Sequence, residues 1–260
     1  MKLKTRYNLM KHGLYLLLLL ALPLFSLGDD NHVLFEQGNA AYAKGQYQQA
    51  IKSYQQVVDD GYQSAVVYFN LGDAYYKTGD IPSALLYYEK AHKLAPGDED
   101  INFNIKYANL KTTDKVEAEP EFFATQWWHA FILFFSVNAL AILSILCFIA
   151  GFLLLILYLF SNSSAIKRLS FYLGVFMLIF GAVFIFMANR QVNYFNNHHE
   201  AIIFSGSVIV KSTPDGNAKP LFVVHEGTKV DVLQRNDTWI EVELPNGAAG
   251  WISASDVKEI

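Results

Sequence analysis

Gly38-Asn-Ala-Ala-Tyr-Ala-Lys-Gly45-Gln-Tyr-Gln-Gln-Ala50-Ile-Lys-Ser-Tyr54 and Gly72-Asp-Ala-Tyr-Tyr-Lys-Thr-Gly79-Asp-Ile-Pro-Ser-Ala84-Leu-Leu-Tyr-Tyr88 are two copies of one pattern. Gly38 and Gly72, Gly45 and Gly79, Ala50 and Ala84, and Tyr54 and Tyr88 are each 34 residues apart, as are Leu34 and Tyr68, Val57 and Ala91, and Tyr62 and Pro96. A period of this length is one helix–turn–helix unit, which cannot bury its apolar face alone and stacks on its neighbour. The small residues let paired helices approach, and Tyr54, Tyr88 and Leu71 fill the space around them. Gly45 and Gly79 end the first helix of each unit, where a left-handed residue is cheap only for glycine.

These positions resemble the tetratricopeptide repeat, with one repeat over 31–64 and a second over 65–98. The acidic run Asp98-Glu99-Asp100 suits a helix N-terminus, and Ile101, Ile105 and Ala108 share one face of a third helix ending near Leu110. It lacks the repeat signature and is expected to cap the array, closing a domain over 29–111. The resemblance implies a concave protein-binding groove with Asn39, Tyr42, Asn70, Asp73 and Tyr76 on it. Asn39, Asn70 and Asp73 are equally consensus residues that satisfy local hydrogen bonds. Some such domains clamp a C-terminal carboxylate with basic residues beside two asparagines. Here Phe35, Asp100 and Asn104 stand where those basic groups belong, which argues against a clamp.

The rest of the chain is unusually apolar. Residues classed as hydrophobic make up 53% and charged ones only 17% of 260, so lipid-facing segments are expected. Ala130 to Phe160 and Leu169 to Ala188 carry no charge, and each reaches the roughly 20 residues that a bilayer core requires. They predict transmembrane helices over 129–160 and 169–189, with Trp127, Trp128 and Tyr172 at the interfaces. The short connection, 161–168, contains Lys167-Arg168, whereas the outer flanks hold Glu117, Glu119, Glu121 and Glu200 beside Lys115 and Arg190. That asymmetry places the connection inside and both soluble domains outside. Residues 112–128 and 190–199 read as linkers.

The N-terminus agrees with that orientation. Lys2, Lys4, Arg6 and Lys11 precede the apolar run Leu14 to Phe25, then Ser26-Leu27-Gly28. This is the layout of a signal peptide over 1–28, cut after Gly28; an uncleaved anchor would export the following chain equally. The net charge of −4 and the absence of a Lys/Arg block speak against nucleic acid. The single cysteine, Cys147, lies in an apolar run and builds neither an intramolecular disulfide nor a thiolate metal site.

From Glu200 to Ile260 apolar and polar residues alternate, with turns at Pro214-Asp215-Gly216, Glu226-Gly227, Arg235-Asn236-Asp237 and Pro245-Asn246-Gly247. Short strands at this spacing suit a small closed barrel. The order Val208 to Pro214, Glu226-Gly227-Thr228, Trp239 and Gly250-Trp251-Ile252 resembles the bacterial SH3 family, with Lys211 where the family has arginine. The family implies an adaptor. Trp239 and Trp251 are the candidates for an aromatic ligand face, unless they are barrel core. His198-His199-Glu200 reads as a solvated linker rather than a metal site.

The expected fold class is therefore a multidomain membrane protein: all-α tetratricopeptide repeats, two transmembrane helices and an all-β SH3-like barrel. This order resembles the BatE-like family of the Bat aerotolerance system in Bacteroidetes and spirochaetes, most closely in the Gly38 and Gly72 repeats, Asp98 to Ile105, Phe122-Phe123 and Leu221 to Thr228. The resemblance implies a scaffold in the inner membrane, with both soluble domains periplasmic. Its implied partners are other Bat proteins with von Willebrand factor A domains and, indirectly, a cytoplasmic MoxR-type ATPase. The alternative is a module that binds or senses peptidoglycan through the barrel. No nucleophile–base pair or carboxylate dyad suggests catalysis, and no cofactor or metal is expected.

Overall fold

The repeats form because each pair of helices leaves a notch that one tyrosine fills. In the computed structural model, residues 29–116 and 122–260 are described, so the expected signal segment lies outside them. Helices α1 (Asp29–Ala43) and α2 (Tyr47–Asp59) make the first repeat, and α3 (Ala65–Thr78) and α4 (Ile81–Leu94) the second. A Cβ on Gly38 would lie 2.4 Å from the Tyr54 ring, and one on Gly72 would lie 2.6 Å from Tyr88. Gly45 and Gly79 turn the chain at φ 74° and 86°. Asp80 caps α4 through Ser83 N at 3.0 Å, and Asp98 caps α5 (Glu99–Asn109) through the amides of Asp100 and Ile101.

Helix α5 is more than a cap. It is the first helix of a third, incomplete repeat: Ile101, Asn104, Ile105 and Ala108 stand 34 residues after Val67, Asn70, Leu71 and Ala74. The glycine of the signature is replaced by Lys106, because no following helix delivers a tyrosine into that notch.

The expected first span is two helices. Helix α6 (Phe123–Ile132) ends at Ile132, four residues intervene, and the last of them, Ser136, caps α7 (Val137–Phe160) through Ala139 N. The turn of the hairpin is shorter than the eight residues expected. Helix α8 begins at Ser164, already includes Lys167-Arg168, and runs unbroken to Asn197 through the expected linker over 190–199. Helices α7 and α8, of 24 and 34 residues, are long and apolar enough to cross a membrane. Only 17% of the most apolar window of each is buried, which is the surface of a lipid-facing hairpin and not of a soluble core. The two pack through small residues: a Cβ on Gly174 would lie 3.2 Å from the Gly151 carbonyl, and one on Gly181 3.1 Å from Phe148.

Seven antiparallel strands follow, β1 (Glu200–Ile203), β2 (Ser207–Lys211), β3 (Pro220–His225), β4 (Lys229–Arg235), β5 (Trp239–Glu243), β6 (Ala249–Ser253) and β7 (Val257–Glu259), in the order β3-β2-β6-β5-β4-β1-β7. Val208, Val210, Val224, Val230, Ile240, Val242 and Ile252 fill the barrel. The apolar–polar alternation in the sequence marks strands at 202–203, 208–210, 221–224, 230–233, 239–242 and 250–252, which fall in β1 to β6, and misses β7.

The barrel is not a separate module on a tether. Ile202, fully buried, packs with Leu85, Leu86, Tyr88 and Ala108, flanked by Phe204 and Ile260. Burying such a side chain contributes about 1.5–3 kcal/mol. Polar bonds surround this contact. Lys229 lies 3.3 Å from Glu89 and 2.9 Å from Glu200. Asp114 accepts from His225 N at 2.7 Å and Thr228 Oγ1 at 2.9 Å, and meets His225 Nδ1 at 2.8 Å. Lys93 Nζ donates to the Ile260 main-chain oxygen at 3.0 Å. The barrel thus covers the last repeat's apolar side, and both soluble domains share one end of the hairpin. There Gly97 abuts the Phe134 carbonyl, where a Cβ would come within 2.1 Å, and His92 meets Phe195 edge-on at 6.3 Å.

Candidate functional site

Asn39, Tyr42, Asn70 and Asp73 line one cavity of about 110 Å3 together with Tyr54. One polar atom of each of Asn39, Asn70 and Asp73 is engaged between helices. Asn39 Oδ1 accepts from Tyr54 Oη at 2.8 Å and from Asn70 Nδ2 at 3.2 Å. Thirty-four residues on, Asp73 Oδ1 accepts from Tyr88 Oη at 2.6 Å and from Asn104 Nδ2 at 2.8 Å. Each first helix is tied in this way to its own second helix and to the first helix of the next unit.

Electrostatics reinforce this frame. Burial raises the Asp73 carboxyl above its ordinary range, against the lowering effect of the Tyr88 and Asn104 bonds and of Lys77. Burial, then the nearby Asp73 and Tyr47, push Tyr42 up to about 12, and burial does the same for Tyr54. These hydroxyls remain neutral donors at physiological pH. The Asn39, Asn70 and Asp73 side chains therefore tie neighbouring helices together.

Aromatic rings lie further along the groove. Tyr76 is not on the cavity; it meets Tyr107 at 5.7 Å, and Tyr107 stacks on Phe103 at 6.0 Å with planes 8° apart. Phe103, Tyr107 and Leu110 are exposed, Phe103 by 64%. Its repeat equivalents, Phe35 and Phe69, are covered by Tyr54 and Tyr88 at 5.8 Å each. Phe103 has no such tyrosine because the third repeat stops after one helix. Sequence reading misses Phe103 and Tyr107, and weighs Asn104 only against a carboxylate clamp; carrying the 34-residue period one step further finds Phe103 and the structural role of Asn104.

Trp239 and Trp251 are not barrel core. Ile240, Val242, Gly250 and Ile252 point inward, and the alternation sends both tryptophans to the outer face, where each is half-buried. Trp239 pairs with Ser253 and Trp251 with Glu241, which makes the indoles diagonal neighbours. Lys211, paired with Trp251 across β2 and β6, holds its ammonium 5.3 Å from the Trp239 ring centre. This face lies apart from Ile202, Phe204 and Ile260, which meet the repeats. In the His198-His199-Glu200 stretch, His198 Nδ1 lies 2.7 Å from the Tyr194 carbonyl and Glu200 is bound to Lys229. Among the described residues, no group of three side chains could hold a metal ion.

The chain is thus a membrane protein with an all-α repeat domain, two apolar membrane helices and an all-β SH3-like barrel. Residues 35–99 match the tetratricopeptide repeat family and residues 206–258 the bacterial SH3 domain family. No curated protein matches the chain. Among solved structures it is similar to a tetratricopeptide-repeat protein from Bacteroides fragilis, at 14% identity over 65% of this chain and 79% of that one, with a TM-score of 0.29.

Proposed function

We propose that this protein is a non-catalytic, membrane-anchored scaffold for protein–protein interaction, with both soluble domains on the periplasmic side of the inner membrane. In this reading it belongs to a Bat-type complex linked to aerotolerance and oxidative-stress resistance. Its partners are membrane proteins with von Willebrand factor A domains and, through them, a MoxR-type ATPase. The observation that carries the reading is the open aromatic edge of the groove. Tyr76, Phe103 and Tyr107 form a continuous ring ladder beside the Asp73–Tyr88–Asn104 hydrogen bonds that join the helices. Such a surface contributes affinity through the covering of its rings. Welding the barrel to the array adds rigidity to a short groove, which reduces the ordering cost of binding.

The test is crosslinking of the full chain in native membranes, followed by identification of captured proteins. Wild type captures proteins with von Willebrand factor A domains, and Phe103→Ser with Tyr107→Ser loses them while the thermal melt is unchanged. Equal capture by both chains, or capture of none of these proteins, rejects the scaffold reading.

The outer-face position of Trp239 and Trp251 favours a second reading, in which the barrel binds or senses peptidoglycan. Half-exposed indoles on a strand face suit the apolar faces of sugars and stem peptides. Saturable sedimentation of the full chain with purified sacculi, lost in Trp251→Ala, would establish it.

A further inference from the structure

The outer face of α6 has no place in the spanning hairpin or in the repeat groove. Residues 122–135 contain no Asp, Glu, Lys or Arg, yet Phe122, Phe123, Trp127, Phe131 and Phe134 are exposed, Trp127 by 78%. The span does not need this segment: α7 alone, with 24 residues, is about 36 Å long at 1.5 Å per residue, against roughly 30 Å of hydrocarbon. Nor is the face turned toward the protein. Ile132 is buried, and His129 meets Tyr194 of α8 at 4.9 Å. At about 100° per residue, Phe123, Trp127 and Phe131 share a stripe on the opposite side of the helix.

The level of the helix is fixed by α8. Gln191, fully buried, donates from Nε2 to the Phe135 carbonyl at 3.1 Å. This residue lies within the polar end of α8, after Asn189 and Arg190 and before Asn193, Asn196 and Asn197. Phe135 is therefore at the height where α8 leaves the hydrocarbon, and α6 starts its path from that height. An uncharged, aromatic-rich helix at this level, with its rings turned away from protein, fits the zone between headgroups and acyl chains.

We propose that α6 is a membrane-surface helix whose Phe123–Trp127–Phe131 stripe is inserted into the headgroup region of the lipid bilayer. It is a third membrane contact, distinct from the two spans and continuous with them. Because Gly97 abuts the Phe134 carbonyl at the end of this helix, the contact also sets how the repeat array stands on the membrane.

The experiment uses the full chain in phosphatidylcholine vesicles, with W128F, W239F and W251F leaving Trp127 as the single indole. Its emission is quenched in turn by lipids brominated near the headgroup, by lipids brominated near the bilayer centre, and by aqueous iodide. The proposal expects the largest loss with the shallow bromine. The largest loss with the deep bromine would make α6 a continuation of the span and overturn it. Dominant quenching by iodide would place the stripe in water, and resistance to all three would place it under protein; either overturns it as well. If the triple variant fails to fold, a spin label on F123C in a C147A background reads the same depth from oxygen against water-soluble nickel accessibility.

Discussion

Asn104 donates from Nδ2 to Asp73 at 2.8 Å, the same bond, one repeat later, that Asn70 makes to Asn39 at 3.2 Å. The two acceptors differ in charge but not in task. Each takes one tyrosine hydroxyl and one asparagine amide.

Asp73→Asn should therefore be tolerated. Burial raises the Asp73 carboxyl, so its ionisation costs stability at neutral pH, and Asn39 already performs the same function uncharged. Thermal melts should show Asp73→Asn equal to or above wild type. Asp73→Ala strands two donors and should lose about 1–3 kcal/mol. A lower melt for Asp73→Asn than for Asp73→Ala would contradict the shared role.

Gly38→Ala and Gly72→Ala set two effects against each other. Alanine gains up to about 1 kcal/mol of helix propensity, but its Cβ would meet a tyrosine ring at 2.4 or 2.6 Å. Overpacking costs about 1–3 kcal/mol, so the clash wins and both variants should melt lower. Tyr54→Leu in the Gly38→Ala background should recover part of the loss, and a failure to couple would exclude the notch as the cause.

The weld between domains depends on pH at both ends of the range. Burial raises the Asp114 carboxyl, but bonds from His225 and Thr228 outweigh it and hold the group below its ordinary value. Its contribution is present above the ordinary carboxylate value of about 4 and is lost as pH falls through the lower folded value. Lys229 is the mirror case: burial alone would lower it, but Glu89 and Glu200 raise it above the ordinary range. Its contribution is complete below about 10.4 and is lost as pH rises through the folded value. Hydrogen exchange at β1 and the Gly227 turn should be slowest between these limits. Asp114→Ala should speed exchange there already at neutral pH and abolish the acid limb.

Lys229→Met leaves Glu89, 5% exposed, without its cation. The loss should be about 1–3 kcal/mol, less than for a fully buried pair because Lys229 keeps some solvent. Glu89→Gln in the same chain should return part of it, and strictly additive losses would argue against coupling.

Much of this architecture is legible in the residues themselves. The period from Gly38 to Tyr88, the two uncharged runs and the strand alternation after Glu200 each come from local pattern. The outward tryptophans were legible too: in Trp239-Ile-Glu-Val-Glu243 the apolar positions 240 and 242 claim the core and turn Trp239 outward. The third repeat was hidden because its diagnostic glycine is Lys106, and a glycine there is required only when a tyrosine must enter. The weld was hidden by separation. Asp114 and His225 are 111 residues apart, and Lys93 and Ile260 are 167 apart, and no periodicity connects such pairs. The break before α7 rests on the Ser136 cap, a small polar residue within a mostly apolar run.

The shared seat of the two soluble domains has a mechanical consequence. The first membrane helix is entered from beside the repeats at Gly97 and Phe134, and the second delivers the barrel that is bolted to those same repeats. Both outer ends of the hairpin are thus gripped by one body. The pair can tilt together, but neither helix can slide along the other without tearing Ile202 from Leu85 or Lys229 from Glu89. Sensors that report through the bilayer by piston motion need that freedom. If the proposed scaffold reading holds, a molecule built in this way is a fixed post, presenting its repeats at one height and one angle.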